Sequence, residues 1–334
     1  MAKTTSLEAI LRKGAEAPEC QRCSYLANYL NMKSYLAEQY YPWIQANCPW
    51  FTDHGEKHVA SVIQTIEHLL SGYKDVSCLD SYLLLASIIW HDVGMLATRA
   101  NHARQAETFI DRVRTAFFPD QTLYRLVSQI TRAHSGRDGW SFLQQSEEVS
   151  PCSHKTYTVY PQSLAALLRF ADEVSETRTR ISLALLPNVP QEQQIYWEYA
   201  NGITASKPEP ARRRLLLAIE LQRTAAVRRF PCPSDLHDRA DTAGKVSLIE
   251  YAVCRLEKMN NERAYCFPYL TRYADILTVE VRLQICEGTD TKFVENIIFG
   301  DGGMSNSDYP AIKLFDQFFE TYPQLAPGNL VGGI

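Results

Sequence analysis

Apolar residues recur every three or four positions through the first half of the chain, which is the spacing of an α-helix that buries one face. Leucine and tyrosine residues follow this spacing from Tyr25 to Tyr40, and Pro42 then interrupts it. The same spacing predicts five further helices before Pro187. They run from about His54 to Leu70, from Asp80 to Gly94, from His102 to Phe117, from Asp120 to His134 and from Pro161 to Arg180.

Two of these helices begin with residues that are typical of helix caps. Asp53 and Glu56 have the spacing of a capping box, in which each side chain accepts a bond from an unpaired NH at the helix start. Asp80 is the predicted N-cap of the next helix, which is apolar nearly all round between Leu83 and Ile89. Because a helix without a polar face must be buried, we predict that this helix lies at the centre of the fold.

The pattern changes after Pro187, where alternating apolar residues favour strands. Two strands and a helix between them are predicted at Arg214–Gln222, Asp275–Cys286 and Lys245–Met259. We therefore predict a mainly α protein, with a helical domain over residues 1–186 and a smaller α+β segment of unknown role over residues 187–334. The polar, irregular stretch from Asp138 to Tyr160 is a predicted surface loop or lid.

Composition indicates a globular protein of an ordinary kind. The chain has 34 basic and 38 acidic residues, so its net charge of −4 does not indicate a nucleic-acid partner, although it does not rule one out. The longest apolar run, Leu83–Trp90, is far shorter than the roughly 20 residues that span a bilayer, and no signal peptide is evident. We expect a cytoplasmic protein with no membrane partner. Composition says nothing about its oligomeric state.

The nine cysteines are scattered and odd in number, which favours reduced thiols over a disulfide framework. Cys20 and Cys23 form an isolated CxxC, which is better explained by small apolar residues than by zinc because no second CxxC follows.

Each of the five predicted helices carries a histidine or a carboxylate on its apolar face. Positions three, four, seven and eight apart lie on one side of a helix, and by this test one residue per helix faces the core. These residues are His58, His91, His102, His134 and Asp172. Any one of them could be an ordinary buried polar residue, and Asp172 could pair with Arg169 or Arg178. Together they predict a metal site, because burying so many polar groups is costly unless something satisfies them.

The remaining histidines lack this placement. His68 lies near a helix end, and His154 and His237 fall in polar stretches, so we expect them to be structural or exposed.

His58, the adjacent pair His91 and Asp92, and the distant Asp172 resemble the H…HD…D signature of the HD-domain metal-dependent phosphohydrolase superfamily. The resemblance covers roughly residues 52–180 and implies an all-helical, HD-type bundle. His54 and His58 are also similar to the HNxxH arrangement of cyclic-nucleotide phosphodiesterases, in which the second histidine binds metal and the first serves as an acid.

The resemblance extends to relatives that hold two metals, because His102 and His134 occupy the places of their additional histidines. It implies a first metal on His58, His91, Asp92 and Asp172, and a second on His102, His134 and the shared Asp92. One departure is Ser175, where many relatives have a second aspartate. No signature of a particular nucleotide accompanies the core, so the substrate class is left open.

The expected function is that of a metal-dependent phosphohydrolase, which cleaves a phosphoester of a nucleotide or related small molecule by a metal-activated hydroxide. The ligand types suit one or two divalent transition-metal ions but do not distinguish Fe, Mn, Zn, Co and Ni. His54 and Asp92 are the expected catalytic residues, with His54 as a proton donor of near-neutral pKa. Four basic residues are near enough in sequence to bind phosphate, namely Lys57, Arg99, Arg132 and Arg137.

Two alternatives keep the same core. A regulatory module with an HD fold would sense a nucleotide without turnover, and the basic stretch from Arg212 to Arg229 would then be an output surface. An HD-type di-iron oxygenase would consume oxygen when its metal site is reduced. Binding without product formation, or oxygen uptake, would distinguish these alternatives from the hydrolase.

Overall fold

The computed structural model describes residues 6–15, 24–71, 73, 75–118, 120–136, 143, 145–150, 156–234, 236, 240–300 and 314–332. In this part of the chain the protein is mainly helical and has a smaller α+β segment toward the C-terminus, as the sequence predicts. No helix among the described residues is both long enough and apolar enough to cross a membrane.

The helices are α1 (Leu7–Ala15), α2 (Tyr25–Gln39), α3 (Tyr41–Asn47), α4 (Glu56–Leu69), α5 (Cys78–Trp90), α6 (His102–Arg112), α7 (Arg114–Phe117), α8 (Gln121–Ala133), α9 (Pro161–Val174), α10 (Gln191–Gly202), α11 (Arg223–Ala226), α12 (Leu248–Leu270), α13 (Leu314–Thr321) and α14 (Pro327–Gly332). The strands are β1 (Glu147–Val149), β2 (Tyr157–Val159), β3 (Ile203–Glu209), β4 (Arg214–Gln222), β5 (Arg229–Pro231), β6 (Lys245–Ser247), β7 (Thr278–Glu287) and β8 (Asp290–Gly300).

The caps of α4 and α5 differ from the prediction. Helix α4 begins at Glu56, so His54 precedes the helix, and the Asp53 carboxylate accepts bonds from the backbone NH groups of Gly55 and His58. The N-cap of α5 is Ser77 rather than Asp80. Asp80 is the other half of that capping box, since its carboxylate accepts a bond from the Ser77 backbone NH.

Two predicted helices are shorter in the structure. The helix expected over residues 102–117 is interrupted at Val113, which separates α6 from α7. Helix α9 ends at Val174 instead of Arg180, and a short 3-10 turn follows at Arg178–Arg180. The hydroxyl of Ser175, just past the end of α9, donates to the Ala171 carbonyl at 2.6 Å and competes with the backbone for that acceptor.

Helix α5 is central, as its uniformly apolar sequence predicts. Every residue from Leu79 to Trp90 is buried, and α1, α2, α4, α8 and α9 pack around the helix. Leu84, Ile88 and the other apolar side chains of α5 are therefore buried against neighbouring helices on every side. This arrangement places the C-terminal end of α5, where His91 and Asp92 follow, inside the bundle.

The α+β segment contains a four-stranded sheet in the order β3-β4-β7-β8. Strands β4 and β7 are parallel, and both outer pairs are antiparallel. Strand β4 has the predicted bounds, β7 begins three residues later than expected, and β3 and β8 were not predicted. Helix α12 begins and ends later than the predicted helix and packs against α9 and α10. The division between residues 186 and 187 stays a prediction.

Candidate metal centre

The ends of three helices bring the first four predicted ligands together. His58 lies in the first turn of α4, His91 and Asp92 follow α5, and Asp172 lies in the last turn of α9. His58 and His91 are fully buried, and Asp92 is 5% exposed. Helix ends place these side chains at one level of the bundle because α4 starts where α5 and α9 finish.

The ligand atoms of this first group are close neighbours. The Nε2 atom of His58 lies 2.9 Å from Oδ1 of Asp172 and 3.4 Å from Oδ2 of Asp92. The Nε2 atom of His91 lies 3.1 Å from Oδ2 of Asp92 and 3.7 Å from Oδ1 of Asp172. The two imidazole nitrogens are 3.2 Å apart. Four ligand atoms from three helices thus surround one point.

A second group forms around the other oxygen of Asp92. Its Oδ1 atom lies 3.6 Å from Nε2 of His102 and 4.0 Å from Nε2 of His134. Those two imidazole nitrogens are 2.9 Å apart. His102 begins α6 and His134 directly follows α8, so a helix start and a helix end meet here. The two oxygens of Asp92 therefore face two different groups.

Gly94 permits the approach of His102 to this turn. Val93–Leu96 form a 3-10 turn directly after Asp92, and α6 packs against that turn. A Cβ atom at residue 94 would lie 1.8 Å from the His102 backbone carbonyl oxygen, which is far inside van der Waals contact. Only glycine allows the backbone to come this close, so Gly94 does more than end a helix.

Backbone carbonyls fix the orientation of three of the histidines. The Nδ1 atoms of His91, His102 and His134 lie 2.6, 2.9 and 2.5 Å from the carbonyl oxygens of Ile88, Arg99 and Thr131. A carbonyl only accepts, so each Nδ1 must carry the proton and donate it. When the ring is uncharged, each Nε2 then has a lone pair on the side of Asp92, which is the tautomer that binds a metal ion.

The electrostatics of the first group favour a positive charge at its centre. Burial alone would lower the pKa of His91, but the carboxylates of Asp92 and Asp172 raise it well above the usual value. Burial would raise the pKa of Asp92, yet the imidazole of His91 holds it well below its usual range. The two carboxylates thus remain ionised and require a cation, which in the absence of metal is the His91 imidazolium.

The residues fit a divalent metal ion. Oδ2 of Asp92 is buried and accepts no well-aligned hydrogen bond from a described residue, an arrangement that is costly unless a ligand satisfies the oxygen. Nitrogen and oxygen ligands bind first-row metals at about 2.0–2.2 Å, so two ligands of one ion are at most about 4.4 Å apart. The distances given above, 2.9–3.7 Å in the first group and 2.9–4.0 Å in the second, all lie within that limit.

His54 lies at the edge of the first group and differs from its expected state. Its Nδ1 atom contacts the carbonyl oxygen of Thr52, and its ring lies 5.8 Å from that of His58 between centroids. Burial and then the positive charge of Arg180 lower the pKa of His54 to about 3, below the near-neutral value expected from the sequence. At neutral pH this imidazole is uncharged, and its low pKa also makes it a weak base.

A cavity of about 500 Å³ opens beside both groups. Asp92, His102, Asp172 and His54 form one side of the cavity. The other side comes partly from the α+β segment, whose contributions were not predicted from the sequence. They are Tyr196, Tyr199, Ser234, Tyr251, Arg255 and Lys258, and the helical part adds Glu173, Glu176 and Arg180.

The sequence contains a pattern that could have identified three of the cavity residues in the α+β segment. Tyr251, Arg255 and Lys258 are spaced by four and three residues, so they share one face of α12, and an apolar core face does not contain that combination. In the structure Arg255 lies 2.9 Å and Lys258 2.8 Å from Glu173, which follows Asp172 directly. These ion pairs connect α12 to the helix that carries Asp172.

The four predicted phosphate-binding residues have different positions. Arg99 lines the cavity, with its guanidinium 4.5 Å from the ring centroid of Phe51. Lys57 is exposed and does not line the cavity, and Arg132 lies 3.2 Å from Glu107 beside a separate, smaller hollow. Arg137 lies outside the described residues. Of the three described members of this set, the structure brings only Arg99 to the site.

Other predicted features have varied outcomes. The six described cysteines form no disulfide with one another, in line with the prediction of reduced thiols. The Cys20/Cys23 pair, His154, His237 and about half of the stretch over residues 138–160 lie outside the described residues. The described part of that stretch contains β1 and β2, which pair antiparallel where the sequence predicted an irregular loop. His68 is half-buried and lines a second cavity.

Comparison with known protein families matches residues 48–242 to the family HD-CE. This match covers more than half of the chain and includes every residue of the two ligand groups. It also extends past Pro187 into the α+β segment. Comparison with curated proteins gave no match, and comparison with solved structures gave none either.

Proposed function

We propose, from the premise that this chain belongs to the HD-CE family, that it is a metal-dependent phosphohydrolase. The observation that carries the proposal is the placement of Asp92, whose Oδ2 faces His58 and His91 while its Oδ1 faces His102 and His134. A bridging carboxylate between two histidine-rich groups is typical of hydrolytic sites with two metals.

The two groups of this chain would hold two divalent ions of the transition series, one on His58, His91, Asp92 and Asp172 and one on Asp92, His102 and His134. Bound ions of this kind lower the pKa of water to near 7 and polarise a phosphoryl oxygen, which is the chemistry that phosphoester hydrolysis needs.

The protein's own residues would orient the substrate and handle protons. His54, uncharged at neutral pH, can orient an attacking water through a hydrogen bond. Its assignment as the acid that protonates the leaving oxygen stays a prediction, and the lowered pKa argues against it. Arg99, which lies between the rings of Phe51 and Tyr196, presents a positive charge to a phosphate group.

The cavity supports a nucleotide or a related small phosphorylated molecule as the substrate. Its volume of about 500 Å³ suits a ligand of that size. Tyr196, Tyr199 and Tyr251 provide aromatic surface, and Glu173 and Glu176 provide acceptors for amino or hydroxyl groups. A phosphate at the metal end and a polar, planar group at the tyrosine end would use both sides of the cavity.

The test is metal analysis of the purified protein, followed by a screen of mononucleotides, cyclic nucleotides, dinucleotides and simple phosphoesters. We expect product formation that requires metal and that is lost in Asp92→Asn. Tight binding of a nucleotide without product would favour the sensing module instead. Oxygen uptake on reduction, with no hydrolysis under anaerobic conditions, would favour the di-iron oxygenase.

A further inference from the structure

We propose that the protein has a second anion site, separate from the metal centre, which binds inorganic phosphate or the phosphoryl group of a small molecule. A cavity of about 300 Å³ lies between the C-terminal half of α4, the segment that follows α9, and strand β3. It shares no lining residue with the cavity at the metal centre.

The residues that line this second cavity favour the binding of an anion. His68, Arg178 and Lys207 line it, and none of its lining residues in the described part of the chain is a carboxylate. The other lining residues are mostly hydroxyl or amide side chains, namely Ser61, Gln64, Thr65, Ser175, Thr177, Thr179, Thr204 and Ser206. The metal-centre cavity, by contrast, mixes four carboxylates with its cations. Several donors around a compact hollow without a competing carboxylate match the acceptor oxygens of phosphate.

Some of the hydroxyl groups are already used and define the floor of the cavity. Ser175 donates to Ala171, so the 2.9 Å contact between Thr65 and Ser175 has Thr65 as the donor. Ser206 donates to the carbonyl oxygen of Val174. These bonds join α4, α9 and β3 beneath the cavity.

Other donors remain available to a ligand. The side chains of Ser61 and Gln64 make no hydrogen bond within the described part of the chain. Thr177 and Thr179 share a single contact of 2.7 Å, which occupies only one of their two hydroxyl protons. A ligand in the cavity therefore meets at least three uncharged donor groups with a proton that makes no hydrogen bond within the described residues.

The cations of the cavity are only weakly neutralised by the protein. Arg178 donates to the backbone carbonyl of Asn201 at 3.1 Å, which leaves its charge uncompensated. Lys207 lies 4.0 Å from Glu209, and that carboxylate is bound more closely by Arg214 at 2.8 Å. The imidazole of His68 makes no hydrogen bond with any described residue, and burial and the positive charge of Lys207 lower its pKa, so it offers an uncharged NH group. A bound phosphate would supply the negative charge that Arg178 and Lys207 lack and an acceptor for the NH group of His68.

This position connects the bound anion to the metal centre through shared structural elements. Helix α4 carries His58 and α9 carries Asp172, while the segment after α9 leads to Arg180, whose Nε donates to the Asp53 carbonyl at 2.9 Å. An anion held by His68, Arg178 and Lys207 would connect the two ligand-bearing helices to the sheet. We therefore assign the site a regulatory or stabilising role rather than a catalytic one.

The test follows the imidazole of His68 by NMR in zinc-loaded, full-length protein with labelled histidine, using His68→Asn to assign its signal. Inorganic phosphate and methylphosphonate are titrated separately, because the second cannot be hydrolysed and represents an organic phosphoryl group. We expect a saturable shift of the His68 signal in at least one titration. In the double variant Arg178→Gln/Lys207→Gln, the anion concentration at the midpoint of the titration should rise about tenfold or more, as expected for the loss of two charge-assisted contacts.

The matched control is Arg282→Gln/Lys292→Gln, which removes two exposed cations from the sheet at a distance from both cavities. Its midpoint should equal that of the parent. A second variant, Ser61→Glu, keeps the cations but introduces a carboxylate, and it should prevent the shift. The proposal is wrong if neither anion shifts the His68 signal, or if the shift is equally strong in Arg178→Gln/Lys207→Gln.

Discussion

The two ligand groups share Asp92 but meet the cavity through different side chains. In the first group, the side chains of His58 and His91 are fully buried and do not line the cavity, whereas Asp172 lines it with 27% of its side chain exposed. In the second group, the side chain of His134 is fully buried, and that of His102 lines the cavity and is 19% exposed. The first group would therefore enclose an ion with two buried imidazoles and present a carboxylate to the cavity, whereas the second has one buried imidazole and presents the other to the cavity.

The supports of the two groups also differ. His58, His91 and Asp172 belong to α4, α5 and α9, which pack directly against one another. His134 instead depends on Arg169, which donates to the carbonyl oxygens of Ala133 at 3.5 Å and Gly136 at 2.7 Å. Arg169 in turn is held by a buried ion pair with Glu262 of α12. The second group thus relies on the α+β segment through Arg169, whereas α12 reaches the first group through the ion pairs of Arg255 and Lys258 with Glu173, next to Asp172.

Asp92→Asn should have the largest effect, because it removes the charge that both groups share. We expect loss of both ions and of metal-dependent hydrolysis, measured by metal analysis and a phosphoester assay. Asp111→Asn, at an exposed aspartate, is the matched control and should behave as the parent does. Retention of both ions in folded Asp92→Asn would contradict the bridging role.

Substitutions of His91 and His102 should separate the groups. His102→Ala should lower the metal content from about two ions to about one, and the ion that remains should be held by the first group. His91→Ala should weaken the more enclosed ion and leave less metal than His102→Ala does. Equal metal content in the two variants, at several metal concentrations, would show that burial does not distinguish the groups.

Glu262→Gln should destabilise the fold and disturb the second group alone. It leaves the buried guanidinium of Arg169 without its partner charge, which typically costs about 3–5 kcal/mol of unfolding free energy. Urea unfolding measures this loss, and metal analysis should show weaker binding of one ion. The double variant Arg169→Met/Glu262→Met removes both charges and should recover much of the stability, but not the position of His134.

Arg99→Gln tests the side of the cavity that faces substrate. Arg99 contacts His102 only through its backbone carbonyl, which the substitution retains, and its side chain lines the cavity, so we expect KM to rise about tenfold with little change in kcat. Steady-state kinetics on the best phosphoester from the screen measures both constants. A fall in kcat at unchanged KM would place Arg99 in the transition state rather than in substrate binding.

Lys57→Gln and Arg132→Gln should have the smallest effects. Neither residue lines the cavity, and Arg132 is paired with Glu107. Their KM values should stay within about twofold of the parent, which corresponds to less than about 0.5 kcal/mol. A larger rise in either variant would mean that substrate extends beyond the cavity seen here.

Helical periodicity identified five of the six members of the two groups, because His58, His91, His102, His134 and Asp172 each share a face with apolar neighbours. Asp92, which both groups share, was predicted from its place beside His91 in the H…HD…D resemblance. Helical periodicity predicted the ends of the helices less accurately. The residue that begins a helix depends on a few hydrogen bonds, and Ser77 rather than Asp80 forms the N-cap of α5.

The sequence by itself determined which side chains face the core, since the 3.6-residue period and the burial of α5 follow from local composition. Only the tertiary structure decided which distant residues meet. It directed the two oxygens of Asp92 to different histidines and separated Arg99 from Lys57 and Arg132. It also brought Tyr251, Arg255 and Lys258 across from the α+β segment. Sequence spacing gives the face of a residue on its own helix, but distances between elements depend on how all of them pack together.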